Sequence, residues 1–143
     1  MKNSLLTTLA IFFIFSNVGF SQCRDFAKTH CKPKLENYVH DGNYNGVMLN
    51  REEEVELHKA FFSGIKYRVV VGAEDDMPII HFKIIDSDQN LIFDNQESNY
   101  ADYFDFELDE AKTLIISLDF VWDKDPGSKL ESGCISILFG MKL

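Results

Sequence analysis

The chain has 143 residues, of which 14 are basic and 23 acidic, so its formal net charge is −9. An acidic chain repels phosphate backbones and anionic lipid headgroups, which argues against nucleic acid and membrane surfaces as partners. The length suits one domain with a sizeable hydrophobic core, and no linker or repeat indicates a second domain.

The first 21 residues have the three parts of a secretory signal peptide. Lys2 supplies the positive charge, and Leu5–Phe15 is an uncharged apolar segment that is too short to span about 30 Å of hydrocarbon. Gly19 and Ser21 are small residues at the positions that precede a cut before Gln22. We therefore predict a signal peptide over residues 1–21.

The predicted mature domain covers residues 22–143 and carries 13 basic and 23 acidic residues, a formal charge of −10. Cys23 leaves a lipoprotein alternative open, because an acylated cysteine would begin such a chain. Lipoprotein processing requires a small residue before that cysteine, whereas this chain has Gln22. The favoured prediction is a soluble protein that is periplasmic or secreted, with no membrane insertion.

Three cysteines, Cys23, Cys31 and Cys134, would enter a compartment that permits disulfides. An odd number leaves one thiol unpaired or bonded to another molecule. In a helix, Cys23 and Cys31 would be about 12 Å apart along the axis, beyond the roughly 7 Å between Cα atoms that a disulfide allows. We predict a Cys31–Cys134 disulfide ahead of Cys23–Cys134. A local Cys23–Cys31 disulfide remains an alternative if the segment is an irregular loop.

Residues 25–39 have the spacing of a short amphipathic helix. Pro33 forbids an uninterrupted helix, so we expect a kink or a restart with Pro33 in a first turn. Positions four, four and three apart form the predicted buried face: Ala27, Cys31, Leu35 and Tyr38.

From residue 44 onward the hydrophobic period changes to two. Short apolar alternations lie about 8–12 residues apart and are separated by Gly, Asn, Asp and Pro turns, which is typical of an antiparallel β-sandwich. We predict a mostly β fold, a jelly-roll-like sandwich of seven to eight strands after the N-terminal helix. The predicted strands include Val55–Phe61, Tyr67–Val71, Ile80–Ile84, Leu91–Phe93, Phe104–Leu108, Leu114–Leu118 and Ile135–Phe139.

The run Gly64–Phe93 (GIKYRVVVGAEDDMPIIHFKIIDSDQNLIF) resembles the bacterial pre-peptidase C-terminal type of β-sandwich domain. The shared theme is G-x-x-Y with alternating apolar residues, an acidic loop, a strand, D-x-D-x-N and a second strand. The FSQ ending of the signal and Ser132-Gly133-Cys134 are similar to a set of small exported β-sandwich proteins of Bacteroidota. These resemblances imply fold and export. They imply no activity, because the Bacteroidota set has no known activity and the pre-peptidase type takes its role from an enzyme to which it is usually appended.

The turn at Asp86, Asp88 and Asn90 offers oxygen ligands at every second residue, and Glu97 follows eleven residues after Asp86. This spacing is similar to a calcium loop, in which six to eight oxygens surround the ion. Such a loop needs Gly at its sixth position, where this chain has Leu91. A β-hairpin turn is the favoured interpretation, and a Ca²⁺ site is the alternative.

A candidate platform for sugar rings consists of Tyr100, Tyr103 and Trp122. The carboxylates of Asp102 and Asp105 would bind the hydroxyl groups of the sugar. In the competing interpretation these aromatic side chains cap the edges of the core with their polar ends in water.

No catalytic residues are predicted, because the four histidines have no metal-ligand spacing and no nucleophile motif is present. We predict a protein that is not an enzyme and needs no cofactor. The favoured function is an exported binding or envelope-structural module with a protein or glycan partner in the cell envelope. A glycan- or calcium-dependent binding domain is the alternative, and a small hydrolase comes last.

Overall fold

The computed structural model describes residues 18–121 and 130–143, with side chains from residue 22 onward. Most of the predicted signal peptide, and Trp122 of the predicted platform, lie outside the described residues. Helix α1 spans Val18–Phe26 and crosses the predicted cleavage position. A π-helical turn, Ala27–Cys31, and a 3-10 turn, Lys32–Leu35, follow it. No helix within residues 18–121 and 130–143 is long and apolar enough to cross a membrane.

Nine strands lie in the described residues, two of them (β1 and β2) in positions that the sequence did not assign. A further 3-10 turn covers Asn95–Ser98. The strands are β1 Val39–His40, β2 Asn45–Asn50, β3 Val55–Phe61, β4 Lys66–Ala73, β5 Ile79–Asp86, β6 Leu91–Asp94, β7 Tyr103–Glu107, β8 Lys112–Val121 and β9 Ser132–Lys142.

The strands form two antiparallel sheets that pack face to face. Sheet A has the order β1-β9-β4-β7, with β2 pairing the other half of β9, and sheet B has the order β3-β8-β5-β6. The prediction of a mostly β antiparallel sandwich behind a short N-terminal helix is confirmed.

The main core lies between the sheets and is filled by the alternating apolar residues of their inner faces. Phe61, the last residue of β3, belongs to an aromatic cluster in this core. Its ring meets the rings of Tyr67, Phe106 and Phe139 edge-on, with centroids 4.9, 5.1 and 5.6 Å away. Edge-to-face aromatic contacts of this kind are favourable beyond the area that they bury.

A second core lies on the outer face of sheet A, under the N-terminal segment (residues 18–38). The predicted buried face of that segment is confirmed, since its residues pack on Val70 of β4 and Leu138 of β9. Pro33 lies in the first turn of the 3-10 helix, as expected for a restart. Because both faces of β4 and β9 are covered, each strand has a nearly continuous buried run. The residues of the predicted buried face are Ala27, Cys31, Leu35 and Tyr38.

Two glycines on that outer face allow the N-terminal segment to lie close to the sheet. A Cβ added to Gly72 would be 2.5 Å from the Cys31 Sγ atom, and one added to Gly140 would be 2.6 Å from the Tyr38 Cβ atom. Real Cβ atoms do not approach so closely, so the absence of a side chain at these positions determines the packing distance.

The disulfide joins Cys23 to Cys134, with Cα atoms 5.1 Å apart and 111 residues of separation. The predicted Cys31–Cys134 pairing is therefore wrong, and Cys31 is a buried free thiol. The reason is where the segment crosses the sheet. Helix α1 lies over β2 and the start of β9, where the Cys23 carbonyl contacts Gly46, whereas Cys31 lies farther along, over Gly72 of β4.

Breaking this disulfide is expected to cost much more stability than removing the free thiol. Cys134→Ser should lower the free energy of unfolding by about 4 kcal/mol, because the bridge closes a loop of roughly 110 residues in the unfolded chain. Urea denaturation of the oxidised protein measures this, with Cys31→Ala as the matched control. Equal stability losses in the two variants would contradict the assigned pairing.

The close approach at Gly72 predicts a rescue. Gly72→Ala should destabilise the protein by about 1–3 kcal/mol, because the new methyl group overlaps the Cys31 sulfur. In a Cys31→Ala background the same substitution should be nearly neutral, since the next atoms, of Phe26, lie 3.8 Å or more away. A double-mutant cycle by thermal or urea unfolding measures the coupling. Additive effects would contradict the contact.

Candidate functional site

A buried arginine fixes the end of the N-terminal segment to sheet A. Arg68, only 7% exposed, donates from Nε and Nη2 to the two carboxylate oxygens of Asp105 at 2.7 and 2.9 Å. Its Nη1 donates to the Lys34 carbonyl at 3.1 Å. The guanidinium lies between the rings of Tyr38 and Tyr103, 4.7 and 4.5 Å from their centroids. Planar stacking with a bidentate carboxylate is a geometry that arginine alone provides.

The charges of this Arg68 cluster are mutually stabilising. Hydrogen bonds from Arg68 hold the pKa of Asp105 below its ordinary value, and those bonds raise the pKa of Arg68. Burial, followed by the nearby Asp105 carboxylate, raises the pKa of the Tyr38 phenol. The Arg68 and Asp105 side chains are therefore both charged at neutral pH.

The predicted aromatic platform is partly within the described residues. Tyr103 rests one ring face on Arg68, and the Asp105 carboxylate is bound to the same guanidinium. Asp102 forms an ion pair with Lys34. Tyr100 lies on the connection before β7, edge-on to His81. The structure thus places both tyrosines near one edge of sheet A. The carboxylates of Asp102 and Asp105 are already in ion pairs. Glycan binding stays a prediction.

In the turn between β5 and β6, both carboxylate oxygens of Asp86 are engaged within the chain. Asp86 Oδ1 accepts from the backbone N–H groups of Asp88 and Asn90, each at 2.9 Å, and Asp86 Oδ2 accepts from the Asn90 side chain at 3.0 Å. These bonds lower the pKa of Asp86. They are the contacts of a β-hairpin turn between β5 and β6. Across the described ranges no group of three or more His, Cys, Asp and Glu side chains could hold a metal ion, and calcium binding stays a prediction.

A histidine between two aspartates was not visible as a group in the sequence. His81 Nε2 lies 2.8 Å from Asp94 Oδ1, and its Nδ1 lies 3.0 Å from Asp119 Oδ1. The three residues are on β5, β6 and β8, which are neighbours in sheet B. A neutral imidazole has one N–H, so it donates to only one of these carboxylates. Alternation along each strand could have placed the three residues on the same face of the sheet. That they are neighbours, however, follows only once the pairing of the strands is known.

A cleft of about 780 Å³ lies at one end of the sandwich. One wall is formed by Phe26, His30 and Lys34 of the N-terminal segment, and the opposite wall by residues 74–78 between β4 and β5. The turn before β7, with Tyr100 and Asp102, closes one side. The volume is in the range of ligand-binding pockets.

A protruding aromatic residue lies at the other end of β4, in the turn between β3 and β4. Phe62 is 66% exposed, although its neighbour Phe61 is buried. The Phe62 N–H donates to the Tyr67 hydroxyl at 3.1 Å, and the Gly64 N–H donates to the Leu108 carbonyl at 3.1 Å. Gly64 has a φ of +72°, which favours glycine. The turn is thus rigid while its aromatic side chain faces solvent.

The fold is similar to that of a solved structure at low sequence identity. That structure is PliG of Aeromonas hydrophila, a periplasmic lysozyme inhibitor of g-type lysozyme. The TM-score is 0.52 with 10% identity, over 75% of this chain and 90% of PliG. The likeness at this identity is one of fold. No family model and no curated protein matches the chain.

The pKa of Asp105 predicts an acid-dependent loss of stability. Because its pKa is lowered in the folded state, the contribution of the carboxylate is complete above its ordinary pKa near 3.8 and is lost as the pH falls through the lowered value. Asp105→Asn should therefore cost about 1 kcal/mol at pH 7, solvent screening included. The difference from the wild type should shrink below pH 4 in urea denaturation.

Asp109→Asn serves as the control for this measurement, since Asp109 is an exposed carboxylate without a side-chain partner among the described residues. Its stability difference from the wild type should stay near zero at every pH. A difference for Asp105→Asn that grows on acidification would contradict the assigned role of the ion pair.

Proposed function

We propose that this protein is an exported, non-catalytic module that binds and inhibits a lysozyme-type enzyme. The observation that carries the proposal is the rigid turn that exposes Phe62. The shared fold with a periplasmic lysozyme inhibitor, over 90% of that protein, supports the choice of partner class.

The export part of the proposal combines sequence and disulfide. A buried disulfide is formed and kept in oxidising compartments such as the periplasm. We take the signal peptide to end at Ser21, so that Cys23 is the second residue of the mature chain. The resemblance to exported Bacteroidota proteins belongs to the same proposal.

Phe62 has the properties of a binding hot spot. Aromatic side chains that enter a pocket on a partner contribute a large share of interface energy. The two hydrogen bonds of the turn fix its backbone before binding, which reduces the entropy lost on association. The buried Tyr67 ring, packed against Phe61 and Phe106, anchors the turn in the main core. An enzyme cleft shaped to hold sugar rings is a concave, partly apolar acceptor for such a side chain.

The charge of the chain favours a cationic partner surface. A net charge of −9 creates a negative potential that speeds encounter with a basic protein and repels polyanions. Electrostatic complementarity of this kind acts mainly on the association rate. Inhibition is therefore expected to weaken as salt is raised.

The test measures inhibition of a panel of lysozymes, g-type included, by the rate at which they clear a suspension of peptidoglycan. The wild type should inhibit at least one enzyme of the panel. Phe62→Ala should weaken inhibition by about 30-fold or more, a hot-spot loss of roughly 2 kcal/mol. Tyr67→Phe, which removes the acceptor for the Phe62 N–H, should weaken it less.

Leu91→Ala is the matched control, since Leu91 is also an exposed apolar residue (55%) but lies on β6 at the edge of sheet B. It should inhibit like the wild type. Thermal unfolding should show that Phe62→Ala folds normally, because the removed ring is in solvent. Wild-type protein that inhibits no lysozyme, or equal effects of Phe62→Ala and Leu91→Ala, would overturn the proposal.

A further inference from the structure

The cleft at the end of β4 is a second surface that the proposed inhibition does not use. Strand β4 runs from Lys66, next to the Phe62 turn, to Ala73, next to the cleft. Eight residues of strand span about 25 Å. A molecule bound in the cleft is therefore separate from a partner bound at the turn.

The described residues that line the cleft carry an excess of negative charge. Among the described lining residues, the carboxylates are those of Glu74, Asp75, Asp76 and Asp102, and Lys34 is the only lysine or arginine. The Lys34 ammonium is neutralised by Asp102. A concave surface with one sign of charge concentrates the field and selects ligands of the opposite sign.

Two of these carboxylates lie at the surface of the cleft. Asp75 and Asp76 are exposed and have no side-chain partner among the residues that the structure describes. Glu74 is fixed differently, because its Oε2 accepts from the Cys134 N–H at 2.8 Å. The exposed acids Asp75 and Asp76 thus lie on a loop that is attached to β9 through Glu74.

Below the carboxylates the lining is apolar and aromatic. Met77 and Pro78 are buried, and Ile80 is half-buried. Across the cleft the Phe26 ring is stacked on His30 with centroids 5.0 Å apart. An apolar floor under exposed carboxylates matches a ligand with an alkyl stem and a cationic end, which is the composition of a lysine side chain. The aromatic wall adds a favourable surface for an ammonium group.

We propose that this cleft binds a flexible chain that carries ammonium groups, in which alkyl stems lie on the Met77 floor and ammonium groups pair with Asp75 and Asp76. A volume of about 780 Å³ accommodates more than one side chain, so the ligand is a short segment. A lysine-bearing peptide and a free polyamine share this chemistry. The proposal does not rest on the function proposed for the Phe62 turn.

Isothermal titration calorimetry of the disulfide-bonded protein at low salt tests the site, with trilysine in one arm and spermidine in the other. We expect one-to-one binding in at least one arm. Trilysine binding alone would assign the cleft to peptides, and spermidine binding alone to free polyamines. Absence of binding in both arms would overturn the proposal.

The double variant Asp75→Asn/Asp76→Asn should lower the affinity at least tenfold. Asparagine tolerates the positive φ of 67° at position 76, so the loop should keep its conformation. The matched control Asp88→Asn/Asp109→Asn changes the net charge by the same amount at exposed positions outside the cleft, and should bind like the wild type. Equal weakening in both double variants would show nonspecific charge attraction and contradict the site. Phe62→Ala should bind both probes unchanged, which separates this test from that of inhibition.

Discussion

The structure depends on the packing of the N-terminal segment against the outer face of sheet A. Without that cover, Val70 and Leu138 would expose apolar side chains on a sheet whose other face is already the main core. The two interior strands of sheet A, β4 and β9, are therefore buried on both faces. The cover fits because Gly72 and Gly140 carry no side chains where the segment crosses them. A sandwich of two layers is in this way extended to three.

The segment is attached at both of its ends by different interactions. The disulfide from Cys23 fixes helix α1 to the start of β9, and the Arg68 cluster fixes the Lys34 carbonyl to β4. Between these points the chain passes through a π-helical turn, which shifts the register of a helix and is often found beside functional sites. Fixed ends allow the middle of the segment, with Phe26 and His30, to serve as a stable wall for the cleft.

Local patterns were sufficient to predict much of this fold. The period of two located β3, β5 and β8, and the helical spacing from Ala27 to Tyr38 identified the correct buried face. The Asp86 turn also follows from its own residues, because its hydrogen bonds span only two to four positions.

The features that the sequence did not reveal join residues far apart along the chain. The burial of Arg68 was not predicted, because alternation along β4 cannot show that a segment 34 residues earlier covers its outer face. The choice between Cys23 and Cys31 depends on where helix α1 crosses β9, which spacing alone does not contain. The His81 group likewise depends on the order of strands in sheet B. Hydrophobic periodicity and turn residues carry information about a few neighbouring positions. The contacts named above depend instead on the order in which strands and the N-terminal segment pack.

The two candidate surfaces are supported by different parts of the molecule. In the cleft wall, the Glu74 carboxylate accepts a hydrogen bond from the Cys134 N–H, and the adjoining Gly133 lies against Met77. The disulfide and the acidic loop therefore form one packed unit. The Phe62 turn is supported instead by Tyr67 and Phe61 in the main core, at the other end of β4. Loss of the disulfide therefore removes support from helix α1 and from the start of β9. The cleft loses the same support, because it depends on both elements. The aromatic contacts under the turn do not include those residues. The part of the protein most dependent on an oxidising compartment is thus the cleft rather than the turn.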